Sequence, residues 1–202
     1  MLVGNGEAKM RRLILARHAL PVVDAAIPSA QWSLSAEGRA KSAQFGELLA
    51  AYKPDRVVTS AEPKAAETGA IMAAGWGLSA TSRPGLHEHD RSNEGFVEDF
   101  AVRVREFFVR SEDRVFGTES AAQVTRRFAR AVDGILAEEE GLCMVCVAHG
   151  TVISLFAQER SGIDAFTLWS ALEMPCALVF SLPDFSLETT EPIALPAAGE
   201  LD

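Results

Sequence analysis

Four apolar residues in a row, Leu13-Ile14-Leu15-Ala16, run directly into Arg17-His18. An apolar run without alternation predicts a short strand buried on both faces, as in a parallel sheet. Leu142 to Ala148 is a second such run, the most apolar in the chain, and it stops at His149-Gly150. Further strands are predicted over Arg56 to Ser60, around Leu78 to Ser82, and over Cys176 to Leu182. Between them the apolar period becomes helical. Phe45, Leu48, Leu49 and Tyr52 fall at i, i+3, i+4 and i+7 of a helix with Ser35 as N-cap and Glu37 in its first turn. Pro63 suits the first position of the next helix, which runs to about Ala74 with Ala66, Ala70 and Ala73 along it, closed by Gly75 and Gly77. Phe96, Phe100, Val104, Phe107 and Phe108 mark an amphipathic helix. Ser120 to Gln123 has the spacing of a capping box and opens a long helix striped by Val124, Phe128, Val132 and Ile135. A last helix starts at Thr151 and covers Val152 to Gln158.

Strands and helices alternate throughout, so the expected fold class is α/β: a three-layer α/β/α sandwich with a mostly parallel central sheet. The 202 residues suit a single domain with a core over about 12–182 and loose ends at 1–10 and 186–202. The segments Ala19 to Ser33, Leu86 to Asp90 and Arg110 to Gly117 read as loops.

An apolar fraction of 48% and a charged fraction of 23% fit a soluble globular protein. A formal net charge of −9 argues against nucleic acid as a partner, since phosphate backbones are held by basic surfaces. It leaves room for a small anionic substrate, because a local cluster of cations in a cleft outweighs a negative exterior. No apolar run reaches the length of a membrane span, and the first residues do not read as a signal peptide. Cys143, Cys146 and Cys176 are odd in number and lie in apolar surroundings, which predicts reduced core thiols and a cytoplasmic protein. Cys143 and Cys146 have CxxC spacing, but residues three apart on a strand point to opposite faces, which argues against redox chemistry.

Ligand crevices of open α/β sheets lie outside the carboxyl ends of the strands. Arg17-His18, Ser60 to Lys64, and His149-Gly150 all occupy that position, and two of the four histidines in the chain are among them. The alternative is a pair of solvent-facing or core histidines. Lys64 falls in a first helical turn, where the macrodipole disfavours a cation. Either Glu67, three residues on, pairs with it, or the ammonium and the helix amides face one anion together. His87-Glu88-His89-Asp90 packs four possible metal ligands, so a metal-dependent hydrolase using His87 and His89 is a rival reading. A solvated polar loop is the plainer account of that stretch.

Taken together, these motifs resemble the histidine phosphatase superfamily, the phosphoglycerate-mutase-like family. Arg17-His18-Ala19 looks like its Arg-His-Gly signature, Leu34 to Ala40 like its first-helix motif, and Ser60 to Thr68 follows Ser-x-x-x-Arg-Ala-x-x-Thr. Leu86-His87-Glu88 with Glu94-Gly95 looks like the segment carrying the acid, and Gly117 to Ser120 and Val147 to Gly150 match later landmarks. The resemblance spans about residues 12–182 in order. It implies a phosphatase acting on a small phosphorylated substrate without metal or other cofactor. His18 would be the nucleophile, Glu88 the acid and base, and Arg17, Lys64 and His149 the phosphate-binding groups. Glu94 competes with Glu88 for the acid role. The chain departs from the pattern where Lys64 stands for an arginine, Ala19 for a glycine, and Asp24 for a phosphate-binding asparagine. An ammonium lacks the two-pronged grip of a guanidinium, so weak phosphate holding, or a catalytically weak or inactive phospho-ligand-binding member, is a further reading. The substrate and the oligomeric state, a homodimer included, are left open.

Overall fold

A computed structural model describes residues 11–94, 97–138, 141–189 and 191–196. The expected loose N-terminus, 1–10, lies outside them, as does Phe96. The sheet is built on β1 (Arg11–Arg17) and β4 (Cys143–Ala148), which run parallel with Arg17 beside Ala148. Both are apolar without alternation because helices cover both faces. Leu13 and Leu15 point into one core while Ile14 and Ala16 point into the other. β2 (Arg56–Thr59) adds in parallel to β4, and β3 (Ala80–Ser82) to β2.

On the other side of β1 lies β5 (Cys176–Leu182), and it is antiparallel. The segment expected as a loose tail contributes β6 (Ser186–Leu187) and β7 (Ile193–Ala194), both paired on the outer edge of β5. Two-residue strands carry no period to read, yet they occupy hydrogen-bonding groups that an edge strand would otherwise leave open.

One layer holds α1 (Ala36–Leu49) and α2 (Pro63–Gly75), and their buried side chains join the core of Ile14 and Val145. Ser35 caps α1, its Oγ accepting the Gly38 amide at 2.9 Å. Phe45 and Leu49 are fully buried as expected, but Leu48 is 40% exposed, because the helix turns Gly38, Ser42, Phe45, Gly46 and Leu49 inward. In α2 the buried face is Lys64, Ala65, Thr68, Gly69, Met72 and Ala73, so of Ala66, Ala70 and Ala73 the last alone is buried. The Cβ-less Gly69 lets the helix close on Thr59 and Val147.

The opposite layer comprises α3 (Phe100–Val109), α4 (Ala121–Glu138), α5 (Gly150–Ser161) and α6 (Ala165–Ala171). The capping box at Ser120 and Gln123 is formed in both directions, at 2.9 and 3.3 Å. All four residues of the α4 stripe are buried. At about 2 kcal/mol for each such side chain, packing rather than helix propensity fixes this element. Cys143 belongs to one core and Cys146 to the other, and all three cysteines are buried and free. No helix among the described residues is long and apolar enough to cross a membrane.

Candidate active site

The topology brings three chain-distant strand ends together. β1, β4 and β2 are neighbours and parallel, so the residues after Arg17, Ala148 and Thr59 emerge side by side. The His18 amide donates to the Ala148 carbonyl at 3.0 Å and the Ser60 amide to Val147 at 2.9 Å, extending the ladders one step. The rings of His18 and His149 then meet edge-on, 5.2 Å between centroids and 63° apart. Both are buried, His18 with 6% exposure and His149 with none.

Nδ1 of His18 lies 2.8 Å from its neighbour Ala19's carbonyl oxygen. A carbonyl only accepts, so the ring hydrogen belongs on Nδ1 and Nε2 keeps its lone pair. Burial pushes the His18 pKa down to about 3, with the Lys64 and Arg17 charges adding to it against the Ala19 carbonyl and Glu88. The ring is neutral at physiological pH. Burial also holds His149 well below its usual value, helped by His18 and Lys64. Its Nε2 is 2.9 Å from Ser60 Oγ and 3.5 Å from Glu62 Oε1.

Arg17 donates through Nη1 to the Leu172 carbonyl, while its Nε is buried without a partner among the described residues. Nδ1 of His149 is likewise buried and unpartnered. A Cβ on Gly150 would stand 3.3 Å from both Cζ and Nε of Arg17, so the guanidinium packs on a residue with no side chain.

Lys64 is in the site, but its ammonium is committed. It donates to the Ser29 carbonyl at 2.7 Å and forms a buried ion pair with Glu62. Glu67, the partner considered from the sequence, instead pairs with Arg39 and accepts the Leu34 amide. Glu62 was not legible as a site residue. Its other oxygen accepts the Glu88 amide at 2.8 Å, so one carboxylate ties together the α2 start, the acid loop and the neighbourhood of His149. A carboxylate two residues before Lys64, at the N-cap of α2, was the only signal.

Of the two acid candidates, Glu88 is in the site. Its carboxylate accepts the His89 amide at 2.9 Å and the Thr151 amide at 3.1 Å. The Thr151 amide at the α5 start therefore already faces an anion, this carboxylate. Burial would raise the Glu88 pKa, but the Arg91 charge and the two amides outweigh it and hold it below the ordinary value. Glu94 accepts the Gly117 amide at 2.8 Å from an exposed position. Arg127 of α4 steadies the acid loop, donating to the carbonyls of Gly85, His87 and Glu88 while pairing with Glu119.

His87 and His89 both border the inner cavity. His89 is buried, stacked on Phe107 at 4.3 Å and edge-on to Phe116. Among the described residues no group of three or more His, Cys, Asp or Glu side chains is arranged to hold a metal ion. Asp24 serves its own turn, accepting the Ala26 amide at 2.8 Å. Ala19 is fully buried, its amide donating to Thr68 Oγ1 at 3.0 Å. Glu62, Glu88, Ser29 and Arg91 border a cavity of about 230 Å³, and a larger one of about 520 Å³ adjoins it.

A comparison with curated proteins finds no match. Among solved structures, Bacillus stearothermophilus YhfR superposes with a TM-score of 0.73 at 19% identity, covering 92% of this chain and 98% of that one. A putative α-ribazole-5'-P phosphatase from Escherichia coli gives 0.71 at 19% identity over the same shares. Mycobacterial glucosyl-3-phosphoglycerate phosphatase in complex with VO3 gives 0.68 at 21% identity, over 90% of this chain and 99% of that one. At these identities the likeness speaks for the fold. The sequence profile of the histidine phosphatase superfamily (branch 1) matches residues 13–181, and the chain belongs to that superfamily.

Proposed function

We propose that the protein is a metal-independent phosphatase that hydrolyses a phosphomonoester, or a phosphohistidine, through a phosphoryl intermediate on His18. The observation that carries this reading is the Ala19 carbonyl on His18 Nδ1, which leaves Nε2 as a neutral, buried nucleophile. The membership of the chain in a superfamily of phosphatases, and phosphatases among its structural neighbours, support the reaction class.

In the first step a bond forms between Nε2 and phosphorus as the bond to the leaving oxygen breaks, and that oxygen takes a proton from Glu88. Glu88 is ionised in the free site. The charge of the arriving phosphoryl group raises its pKa, so Glu88 takes up a proton from solvent as the substrate binds and passes it to the leaving oxygen. In the second step Glu88 takes a proton from water, the water oxygen bonds to phosphorus, and the Nε2 bond breaks to release inorganic phosphate. The unpartnered Nε of Arg17 and Nδ1 of His149 supply donors for the equatorial oxygens. In this mechanism the Ser60 hydroxyl is the donor to His149 Nε2, which leaves the ring hydrogen on Nδ1 for the phosphate. A cytoplasmic location belongs to the same reading and is supported by the free thiols.

The test is release of phosphate from 4-nitrophenyl phosphate in the presence of a chelator. Wild type is expected to turn over and to yield an acid-labile phosphoryl group on His18. His18→Ala is expected to lose on the order of 10³-fold or more. Full activity in that variant, or loss of activity to the chelator, overturns the mechanism. The buried Lys64–Glu62 pair favours a second reading, a member that binds phosphorylated ligands with little turnover. Binding of 4-nitrophenyl phosphate without release of phosphate is its signature.

A further inference from the structure

The larger cavity, about 520 Å³, is walled by Ile27, Pro28 and Trp32 from the loop before α1 and by Val97 and Phe100 opposite. Ser29 and Arg91 border both it and the inner cavity that holds Glu62 and Glu88. The two spaces therefore adjoin at a neck formed by Ser29 and Arg91, and the outer one falls in the size range of small-ligand sites.

Several polar groups of the outer walls already have partners. The Trp32 indole N–H donates to the Asp24 carbonyl at 2.9 Å, and Glu94 accepts the Gly117 amide. The Ser29 carbonyl receives Lys64. Most of the wall left for a ligand is apolar, from Ile27, Pro28, Trp32, Val97 and Phe100, and on it a hydroxyl-rich group would forfeit hydrogen bonds made to water. The exception is Arg91 at the neck. Its guanidinium lies over the Phe100 ring at 4.8 Å and makes no hydrogen bond or ion pair among the described residues. A cation there suits the phosphoryl end of a ligand whose other end is apolar.

We propose that this site takes phosphomonoesters of uncharged, aromatic, largely apolar alcohols, with the ring in the outer cavity and Arg91 on the phosphoryl group at the neck. The proposal rests on the phosphatase reading for its chemistry but not for its binding geometry.

The experiment compares 2-phenylethyl phosphate with ethyl phosphate, two alkyl esters whose intrinsic reactivities are close. Wild type is expected to favour the phenylethyl ester at least tenfold in kcat/KM. Ile27→Asp and Trp32→Ala are expected to erase that preference while holding ethyl phosphate within twofold. Ile27 is 39% exposed, so its replacement leaves the core intact. Equal use of the two esters by wild type, or parallel loss on both in the variants, overturns the proposal. Calorimetry on His18→Ala separates it from the phosphatase reading. Tenfold tighter binding of the phenylethyl ester, lost on adding Ile27→Asp, supports the cavity whether or not the wild type turns over, and equal binding refutes it.

Discussion

The ammonium of Lys64 is held by the carboxylate of Glu62 inside the site, with side-chain exposures of only 6% and 10%. The cation at the α2 start is therefore neutralised in place before any phosphate arrives, and a second negative group borders the cavity. Replacing both residues, Glu62→Gln with Lys64→Arg, is expected to raise kcat/KM for 4-nitrophenyl phosphate about tenfold, because a planar guanidinium then faces phosphate oxygens without a competing carboxylate while the amide oxygen still accepts from Glu88. Glu62→Leu alone strands a buried cation and should cost about 3 kcal/mol of stability. Steady-state kinetics and urea unfolding of the two variants measure both effects.

The depressed pKa of His18 has a consequence for stability. Between the usual histidine value and about 3, the unfolded chain binds a proton at this residue and the folded chain does not. Stability therefore rises with pH in that window and falls on acidification, by about 1.4 kcal/mol per pH unit for such a group. From pH 5.5 to 4.5, wild type is expected to lose about 1 kcal/mol more than His18→Asn in urea unfolding. Identical slopes would mean that His18 titrates normally.

Gly150 is predicted to act through Arg17. Gly150→Ala puts a methyl group against the guanidinium while favouring the first turn of α5. kcat/KM is expected to fall about tenfold, at the scale of a displaced binding group, with the thermal midpoint unchanged or higher. Circular dichroism melts run beside the kinetics separate the two effects.

The thiols are expected to be inert in the native state. Burial pushes Cys143 up to about 11 and Cys146 and Cys176 up to about 12. At pH 8 a thiol-specific reagent should label none of the three in folded protein and all of them in guanidinium, with activity unaffected by mild oxidant.

Much of this arrangement is legible along the chain, and the reasons are local. β1 and β4 are visible because they are apolar without alternation and end on Arg17-His18 and His149. The α4 stripe keeps its period over about three turns. α6 escaped notice because seven residues give too short a window, and β6 and β7 because two residues give none. The antiparallel direction of β5 depends on the path of the chain from α6, which no residue of Cys176 to Leu182 announces. His18 and His149 were recognisable by position at strand ends. Glu62 was not, because its role comes from three partners, Lys64, the Glu88 amide and His149, reached only after folding.

Arg127 grips the carbonyls of Gly85, His87 and Glu88 from the back of the acid loop, and that hold stops at Glu88. The backbone that carries the proposed acid is thus fastened to a helix, while Ser92 and Glu94, which border the outer cavity beyond Arg91, lie past that anchor. A lineage built on this plan is at liberty to rewrite what it recognises without retuning how it moves a proton.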